Sequence, residues 1–196
     1  MDTSYQFTIR LRGSEPEIWR RIQVVTDTTL FELHHVIQIA MGWTNSHLYE
    51  FQLKELHFGT QYSDDQEVYG DDFRDASLIS IKELELKPEQ IFVYQYDFGD
   101  NWEHSIHVDK IELKDDNKKY PFCIDGQQKC PPEDCGGIRR YYEMLEILAS
   151  KNHPEKKELK EWLGARFDPN HFDKDKVNRQ LKKIDKYIAE WIDGNK

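Results

Sequence analysis

The sequence predicts an α+β fold in a single domain that covers all 196 residues. Strand-like alternation of apolar and polar residues dominates residues 1–114, whereas helical spacing of apolar residues dominates residues 138–196. A segment rich in Pro, Gly and Cys, residues 115–137, lies between these two parts. We therefore expect a mainly antiparallel sheet with one main helix in the first part, an irregular loop in the second, and three helices in the third.

The first elements are predicted in the order β-β-α-β. One strand is predicted where apolar and polar residues alternate, and a turn rich in Gly and Pro connects it to a second strand over 18–25. Thr29 and Glu32 form the capping box of a helix that Gly42 is placed to end. A third strand is predicted over 48–56. The apolar residues behind these predictions are Tyr5, Phe7, Ile9 and Leu11 in the first strand and Leu30, Leu33, Ile37, Ala40 and Met41 in the helix.

The next stretch, residues 60–76, is polar and rich in carboxylates, with Arg74 as its one basic residue. Oxygen-rich loops can bind calcium, but this segment lacks the regular spacing of a calcium-binding loop. We therefore interpret it as a solvated loop. Its acidic residues are Asp64, Asp65, Glu67, Asp71, Asp72 and Asp75.

A long β-hairpin is predicted around the turn residues 99–101. Directly opposed residues of a hairpin share a face, so a three-residue connection pairs Tyr96 with His104. A two-residue loop would instead oppose Tyr96 to Glu103 and break the apolar face. The predicted register therefore places His104 on that face. Its other alternating residues are Phe92, Tyr94 and Phe98 in the first arm and Trp102, Ile106 and Val108 in the second.

Three helices are predicted for the last part of the chain. The first covers about 138–149, and the second runs from about Pro154 to Leu163, followed by Gly164 as its stop signal. The third starts near its N-cap, Asp173. The expected inward residues are Ile138, Tyr141, Tyr142, Leu145 and Leu148 in the first helix and Val177, Leu181, Ile184, Ile188 and Trp191 in the third.

The net charge of −10 argues against a general affinity for nucleic acid, because phosphate binding depends on Lys and Arg. The charge is uneven along the chain. Residues 1–136 contain 13 basic and 26 acidic side chains, which gives −13, and residues 137–196 contain 14 basic and 11 acidic ones, which gives +3. The helical part could therefore contact an anionic protein partner, although mixed charges are also typical of a solvated helix surface.

The sequence also predicts a cytoplasmic protein without membrane association. No stretch approaches the roughly 20 apolar residues that span a bilayer. Residues 1–5 have neither the basic region nor the apolar region of a secretion signal. Three cysteines, an odd number, fit poorly with a disulfide framework. The oligomeric state is unknown at this stage.

The three cysteines are the first candidate site. Cys123, Cys130 and Cys135 have the spacing C-x6-C-x4-C. Thiolates bind zinc tightly, and a structural zinc site needs four N or S ligands, of which His104 or His107 could supply the fourth. We take the three cysteines and His104 as candidate zinc ligands. The alternative is that the cysteines are small buried apolar residues in a rigid loop.

The hairpin tip supplies a second group of candidates, together with the residues after Cys130. The Asp and His residues of segment 97–104 could form a hydrolytic metal site or an acid/base pair. Asp and Asn are, however, also ordinary turn residues, and a histidine among aromatics such as Tyr96 is often a hydrogen-bonded core residue. The predicted register also places Asp97 and His104 on opposite faces. The candidate functional surface consists of Asp97, Asp100, Trp102, Glu133 and Asp134.

Several motifs together resemble the plasmid pRiA4b Orf-3-like family along nearly the whole chain. The residues that carry the likeness are Tyr5–Leu11 with Ile18–Arg21, Leu33-His34 with Met41–Trp43, His47–Phe51, Tyr96–Asp100 with Trp102–His104, Cys130–Gly137, and Phe167–Pro169 with Phe172-Asp173 and Val177-Asn178. The resemblance implies an α+β fold and a prokaryotic, often plasmid- or mobile-element-associated, protein, but no activity. Relatives often have an apolar residue at the position of Cys135, so the resemblance does not imply a three-cysteine metal site.

Two functional hypotheses follow. The first is a non-enzymatic binding or adaptor domain, since the sequence contains neither a nucleophile elbow nor a phosphate-binding loop. The second is a metal-dependent hydrolase or nuclease linked to mobile elements, which would use the hairpin tip with Glu133 and Asp134. This second hypothesis requires those carboxylates and His104 to lie close enough to share one ion. A structural zinc site is compatible with either.

Overall fold

The computed structural model describes residues 2–60, 70–164 and 167–194 and confirms the α+β class. Within these residues, eight strands form one sheet, and five α-helices accompany it. The strands are β1 (Thr3–Leu11), β2 (Trp19–Val25), β3 (Tyr49–Leu53), β4 (Leu56–Gly59), β5 (Phe73–Asp75), β6 (Ile91–Tyr96), β7 (Trp102–Leu113) and β8 (Phe122–Gln127). The helices are α1 (Leu30–Met41), α2 (Gly137–Ala149), α3 (Lys156–Leu163), α4 (Lys174–Leu181) and α5 (Ile184–Gly194), and a short 3-10 helix covers Ile81–Leu84.

The sheet has the strand order β5-β4-β3-β6-β7-β1-β2-β8. All neighbouring strands pair antiparallel except β4 and β5, which run parallel. The β-β-α-β start is confirmed, because β1 and β2 form a hairpin that leads into α1 and then β3. The predicted strand over 48–56 is divided into β3 and β4 by a turn at Lys54, whose φ is 57°.

Helix α1 begins with the predicted capping box, in which Thr29 accepts from the backbone N–H of Glu32 and the Glu32 carboxylate accepts from that of Thr29. Gly42 ends it in the left-handed region, at φ 91°. Almost every residue of α1 is buried, because the sheet covers one side and the C-terminal helices cover another. Residues of opposite helix faces, such as Leu33 and His35, are both inaccessible to solvent.

The predicted hairpin exists, but its connection is longer than expected. Residues 97–101 form the turn, so Tyr96 pairs with Trp102 and Tyr94, rather than Tyr96, pairs with His104. A shift of two residues keeps the same face toward the core, and His104 is fully buried as predicted. The turn is longer because Asp97 leaves the strand with a positive φ of 56°, and this leaves Phe98 half exposed.

Three further predictions need correction. Segment 115–137 is not wholly irregular, because β8 pairs with β2 at the sheet edge. Loop 60–76 contains β5 in its described part, whereas residues 61–69 with Asp64, Asp65 and Glu67 lie outside the described residues. The last predicted helix is two helices, so four rather than three end the chain.

The first part of the divided helix, α4, is fastened to β8. The Asn178 side chain accepts from the N–H of Cys123 (2.7 Å) and donates to its carbonyl (2.8 Å), which holds α4 against the strand. The helix is interrupted at Lys182 and Lys183, where the N–H of Lys183 donates to the carbonyl of Gln180 (2.9 Å), and Leu181 and Ile184 on either side of the interruption are both buried. Within the described ranges, no helix is long and apolar enough to cross a membrane.

Candidate functional site

The hairpin tip and the segment after Cys130 meet in space. The turn 97–101 between β6 and β7 contacts the loop 128–136, which leads from β8 into α2. The connection 42–48 between α1 and β3 packs beside both. We call His47, Asp97 and Asp134, one residue from each of these segments, the tip cluster.

Asp97 is held by the turn that it begins. Its Oδ1 accepts hydrogen bonds from the backbone N–H groups of Gly99 (2.9 Å) and Asp100 (3.3 Å), which is the usual way in which Asp stabilises a turn. The backbone N–H of Asp97 donates to the carbonyl of Leu48. Its side chain is about one-tenth exposed, and Oδ2 faces His47. The turn therefore presents a single carboxylate oxygen to the cluster.

His47 and Asp134 complete the cluster from the other two segments. The Nε2 atom of His47 lies 3.6 Å from Oδ2 of Asp97 and 3.2 Å from Oδ1 of Asp134. This Nε2 is withdrawn from solvent and makes no hydrogen bond within the described structure. Asp134 is 75% exposed, so the cluster is open on that side. One imidazole nitrogen and two carboxylate oxygens are a donor set that divalent metal ions accept.

Glu133 fastens the loop to the neighbouring connection. Its carboxylate accepts from the backbone N–H of Thr44 (2.9 Å), from the Thr44 hydroxyl and from the hydroxyl of Tyr96. Burial raises the pKa of Tyr96, and its hydrogen bond to Glu133 raises it further, so the phenol stays protonated and donates. The Tyr96 hydroxyl also accepts from the N–H of Ser46. Glu133 is therefore committed to structural hydrogen bonds rather than free to bind an ion.

Asp100 and the glycine pair explain why the loop follows the hairpin so closely. The Asp100 carboxylate accepts from the N–H of Gly136 (3.1 Å). Gly137 has a φ of 79°, and a Cβ atom there would lie 2.6 Å from the carbonyl oxygen of Asp100. Only glycine fits this contact without displacement of the backbone. Trp102 is fully buried, so it belongs to the core and not to a functional surface.

The described structure does not gather the four predicted zinc ligands into one site. Among residues 2–60, 70–164 and 167–194, the one group of three or more His, Cys, Asp and Glu whose ligand atoms all lie within 4.8 Å is the tip cluster. Cys123 donates its thiol to the carbonyl of Asp125, and Cys135 donates to that of Gly137. Burial raises the pKa of Cys123 to about 11.

The other two thiols and His104 have equally buried surroundings. Burial raises the pKa values of Cys130 and Cys135 to about 12, so all three cysteines are protonated near neutral pH. Burial lowers the pKa of His104 to about 3. Its Nδ1 lies 3.3 Å from the carbonyl of Tyr94, and its Nε2 has no partner among the described residues. This geometry fits the alternative in which the cysteines are small buried residues that pack in the protein interior.

A second feature, which we call the groove, lies on the other side of loop 128–136. It has a volume of about 860 Å³ and is bounded by the end of α1, by residues 129–133, and by α3 and α4. Trp162 is half exposed on one wall, and Lys129 and Lys176 are both exposed at the rim. The lining also includes the aromatic side chains of Trp43, Phe167 and Phe172.

Arg20 forms the base of the groove but is not available to a ligand. Its Nε donates to the carbonyl of Ala40 (2.8 Å), and its Nη1 donates to the carbonyls of Trp19 and Gln127. The guanidinium carbon lies 4.0 Å from the ring centroid of Phe172. A cation at the C-terminus of α1 complements the helix dipole. Burial lowers the pKa of Arg20, and its three carbonyl partners compensate for lost hydration.

A buried chain of hydrogen bonds under α1 was not predicted from the sequence. His34 Nδ1 lies 2.8 Å from the Tyr94 hydroxyl, and its Nε2 lies 2.7 Å from Oδ1 of Asn45. Gln38 donates to the same Tyr94 hydroxyl, so Tyr94 donates to His34 and His34 donates onward to Asn45. Asn45 Nδ2 then lies 3.5 Å from Nε2 of His35. The hydrogen bonds of this chain join the side chains in their neutral forms, and only the Oε1 atom of Gln38 is left without a partner among the described residues.

Of the cluster residues, His47 was missed as a candidate. Asp97 and Asp134 were both named from the sequence, and the structure brings them together. His47 lies fifty residues before Asp97 in the sequence and is further still from Asp134, so its position in the sequence did not connect it to them. Its place in the motif His47–Phe51, which contributes to the family resemblance, was the signal available. The groove was also missed, because its walls come from segments that are distant in sequence.

Comparison with known proteins finds similarity along most of the chain. A family model described as "Plasmid pRiA4b ORF-3-like protein" matches residues 3–176. The chain is 38% identical over 186 residues to the uncharacterized protein y4hQ of Sinorhizobium fredii (strain NBRC 101917 / NGR234), which covers 93% of this chain and 91% of the relative. It is also similar to the crystal structure of MM3350, a protein of unknown function from Methanosarcina mazei Go1. That match has a TM-score of 0.79 and 34% identity, and it covers 89% of this chain and 97% of the other.

Proposed function

This chain belongs to the plasmid pRiA4b ORF-3-like protein family, and we propose that it is a non-enzymatic binding domain whose groove holds an acidic segment of a partner protein. The observation that carries the proposal is the groove itself. Its volume of about 860 Å³ is that of a ligand-binding cleft. Aromatic side chains line it, with Lys129 and Lys176 at its rim, and protein interfaces commonly have aromatic residues at the centre and polar residues at the rim.

The aromatic residues supply the apolar part of the proposed contact. Trp162 is 51% exposed, whereas an indole in a folded protein is normally more buried. Phe167 and Phe172, both in the loop that ends at α4, are partly buried and line the same groove. A side chain of a partner placed in the groove would cover apolar surface that is now in contact with water. Tryptophan is also among the residues that most often dominate binding energy.

The lysines at the rim supply the charge that selects the partner. Lys176 makes no ion pair within the described part of the chain, and Lys129 lies with its Nζ 5.0 Å from the ring centroid of Phe167. Lys176 belongs to residues 137–196, which carry a net charge of +3, and Lys129 adds a second positive charge from loop 128–136. Two carboxylates, Glu133 and Asp173, also line the groove, but Glu133 accepts hydrogen bonds from Thr44 and Tyr96, and Asp173 accepts one from the backbone N–H of Lys176. An acidic segment is therefore attracted to this face, while the remaining acidic surface repels acidic molecules elsewhere.

The base of the groove is rigid, which favours binding without rearrangement. The Arg20 guanidinium is fixed by three carbonyl groups, and the Trp43 indole donates to the carbonyl of Pro131 (3.0 Å). The Trp43 ring also stacks on Tyr96 at a centroid distance of 5.0 Å. A wall that is already ordered loses little conformational entropy on association.

A peptide-display experiment tests this proposal. We would select random 12-residue peptides against the full chain and measure the binding of the enriched peptides to variants. We expect peptides that combine Asp or Glu with an apolar residue, and we expect Trp162→Ala to weaken them by about 10-fold or more. Lys176→Glu should also weaken them, whereas Lys151→Glu, the same charge reversal outside the groove, should not. Equal binding to the wild type and Trp162→Ala would overturn the proposal.

A metal-dependent hydrolase or nuclease is the second candidate, and the tip cluster is the observation that favours it. The condition expected from the sequence is not met, because His104 is buried in the core and the described cluster does not include it. The candidate therefore depends on His47, which lies beside Asp97 and Asp134. Hydrolysis of bis(4-nitrophenyl) phosphate in the presence of Mn²⁺ or Zn²⁺ tests it. Turnover by the wild type that is lost in Asp134→Asn would support this candidate. Equal turnover by the wild type and Asp134→Asn would show that the activity comes from a contaminant.

A further inference from the structure

We propose that the tip cluster is a binding site for one divalent transition-metal ion, with Zn²⁺ as the best match. The ligands are Nε2 of His47, Oδ2 of Asp97 and Oδ1 of Asp134. This site shares no residue with the groove lining, so the inference does not depend on the proposed binding function. It also differs from the cysteine site expected from the sequence.

The distances within the tip cluster match those around one ion. Two ligand atoms that are each about 2.1 Å from zinc and about 109° apart are separated by about 3.4 Å. The Nε2 atom of His47 is 3.2 Å from one carboxylate oxygen and 3.6 Å from the other. The ligand atoms all lie within 4.8 Å of one another. A small movement of the exposed Asp134 side chain would therefore close the site around an ion.

The hydrogen bonds of Asp97 prepare it for a metal. Its Oδ1 is occupied by the N–H groups of Gly99 and Asp100, so the orientation of the carboxylate is fixed and Oδ2 is directed at His47. Outer hydrogen bonds of this kind orient the ligands in metal sites. The ligand is thus in place before an ion arrives.

His47 provides the independent observation that points to a ligand. Its Nε2 is inaccessible to solvent and makes no hydrogen bond in the described structure, although two carboxylate oxygens lie close to it. The His47 side chain is 29% exposed as a whole, but this nitrogen faces the two carboxylates instead of water, and a buried polar atom without a hydrogen bond is unfavourable. A metal ion between the three side chains would supply that partner. The competing explanation is that His47 forms ion pairs with both carboxylates and the cluster binds no ion.

The site would be incomplete in protein ligands and open to solvent. Three protein ligands leave one tetrahedral position for water or for a ligand atom of another molecule. Asp134 is 75% exposed, so this position faces the solvent side. Softer metal ions, which prefer thiolate ligands, are disfavoured here, because the tip cluster offers one imidazole nitrogen and two carboxylate oxygens. An ion here would also join the α1–β3 connection, the hairpin tip and the loop 128–136.

Isothermal titration calorimetry of the metal-free full chain with Zn²⁺ tests the site. We expect one ion per chain in the wild type and at least about 100-fold weaker binding in Asp134→Asn and in His47→Gln. Asp134 is exposed, so its substitution leaves the fold intact, and circular dichroism verifies this. Asp116→Asn, which changes another exposed aspartate, should bind as the wild type does.

The same titration with Co²⁺ distinguishes the tip cluster from the cysteines. Cobalt bound by nitrogen and oxygen gives weak visible bands, whereas cobalt bound by thiolate adds an intense near-ultraviolet charge-transfer band. We expect no such band, and unchanged binding in Cys130→Ser. A charge-transfer band that disappears in Cys130→Ser would overturn the proposal in favour of the cysteine site. Absence of stoichiometric binding in the wild type would overturn it in favour of the ion-pair explanation.

Discussion

Lowering the pH from 7 to 5 should destabilise the folded chain through its buried histidines. Burial lowers the pKa of His104 to about 3, whereas a histidine in an unfolded chain has a pKa of about 6.5. Between these two values the unfolded state binds a proton and the folded state does not. The stability contributed by neutral His104 is therefore present above about pH 6.5 and is lost as the pH falls toward 3.

The size of this loss follows from the two pKa values. At pH 5, proton binding to His104 stabilises the unfolded state by about 2 kcal/mol, compared with about 0.2 kcal/mol at pH 7. His34 and His35 act in the same direction, because burial lowers the pKa of each, and for His34 the neighbouring His35 lowers it further. Carboxylates with lowered pKa values, such as Asp109, titrate below this window. The loss between pH 7 and 5 therefore comes mainly from histidines.

Urea unfolding at pH 7 and pH 5, monitored by tryptophan fluorescence, measures the effect. His104→Gln keeps a donor for the Tyr94 carbonyl but removes the titrating group. We expect this variant to be less stable at both pH values, yet to lose about 2 kcal/mol less than the wild type between them. His171→Gln, at an exposed histidine, serves as the control and should show the wild-type loss. An equal loss in the wild type and His104→Gln would refute the assignment.

Three further predictions concern single contacts. The three buried thiols should react with iodoacetamide at pH 7.5 far more slowly in the native protein than in urea, because burial raises their pKa values. Equal labelling rates in the native protein and in urea would contradict this. Gly137→Ala should lower the free energy of unfolding by about 2–4 kcal/mol, since the new Cβ would lie 2.6 Å from the Asp100 carbonyl oxygen. Gly42 has a similar positive φ but no atom near the position of a Cβ, so Gly42→Ala serves as the control. Urea unfolding should show that this control loses only about 1 kcal/mol. Asn178→Ala removes both side-chain hydrogen bonds to Cys123 and should cost about 2 kcal/mol. Hydrogen exchange should then show faster opening of α4 and β8, and protection equal to the wild type would exclude this role.

The sequence predicted the elements whose signals are local. The capping box of Thr29 and Glu32 and the stop at Gly42 define α1 without reference to the rest of the fold. The alternation in β6 and β7 placed His104 in the core, although the pairing register was wrong by two residues. That error arose because Asp97 and Asn101 both adopt positive φ, which extends the turn. Asp and Asn adopt this conformation more readily than other residues, but the sequence does not show when they do.

The parts that could not be predicted depend on contacts between distant segments. Strand β8 forms because β2 offers a free edge, not because its own sequence is strongly strand-like. The position of α4 against β8 depends on the hydrogen bonds between Asn178 and Cys123, which are 55 residues apart in sequence. The tip cluster requires three segments to meet, and the sequence identified Asp97 and Asp134 individually but gave no indication that His47 lies between them.

The proposed binding function is tested most directly by locating a bound peptide. An acidic peptide from the display selection would be titrated into the ¹⁵N-labelled full chain while the backbone and indole signals are recorded. We predict that the largest shift changes occur at the Trp162 indole and at backbone signals of Lys129 and Lys176, on the groove walls. Shift changes confined to residues outside the groove, with Trp162 unaffected, would contradict the account.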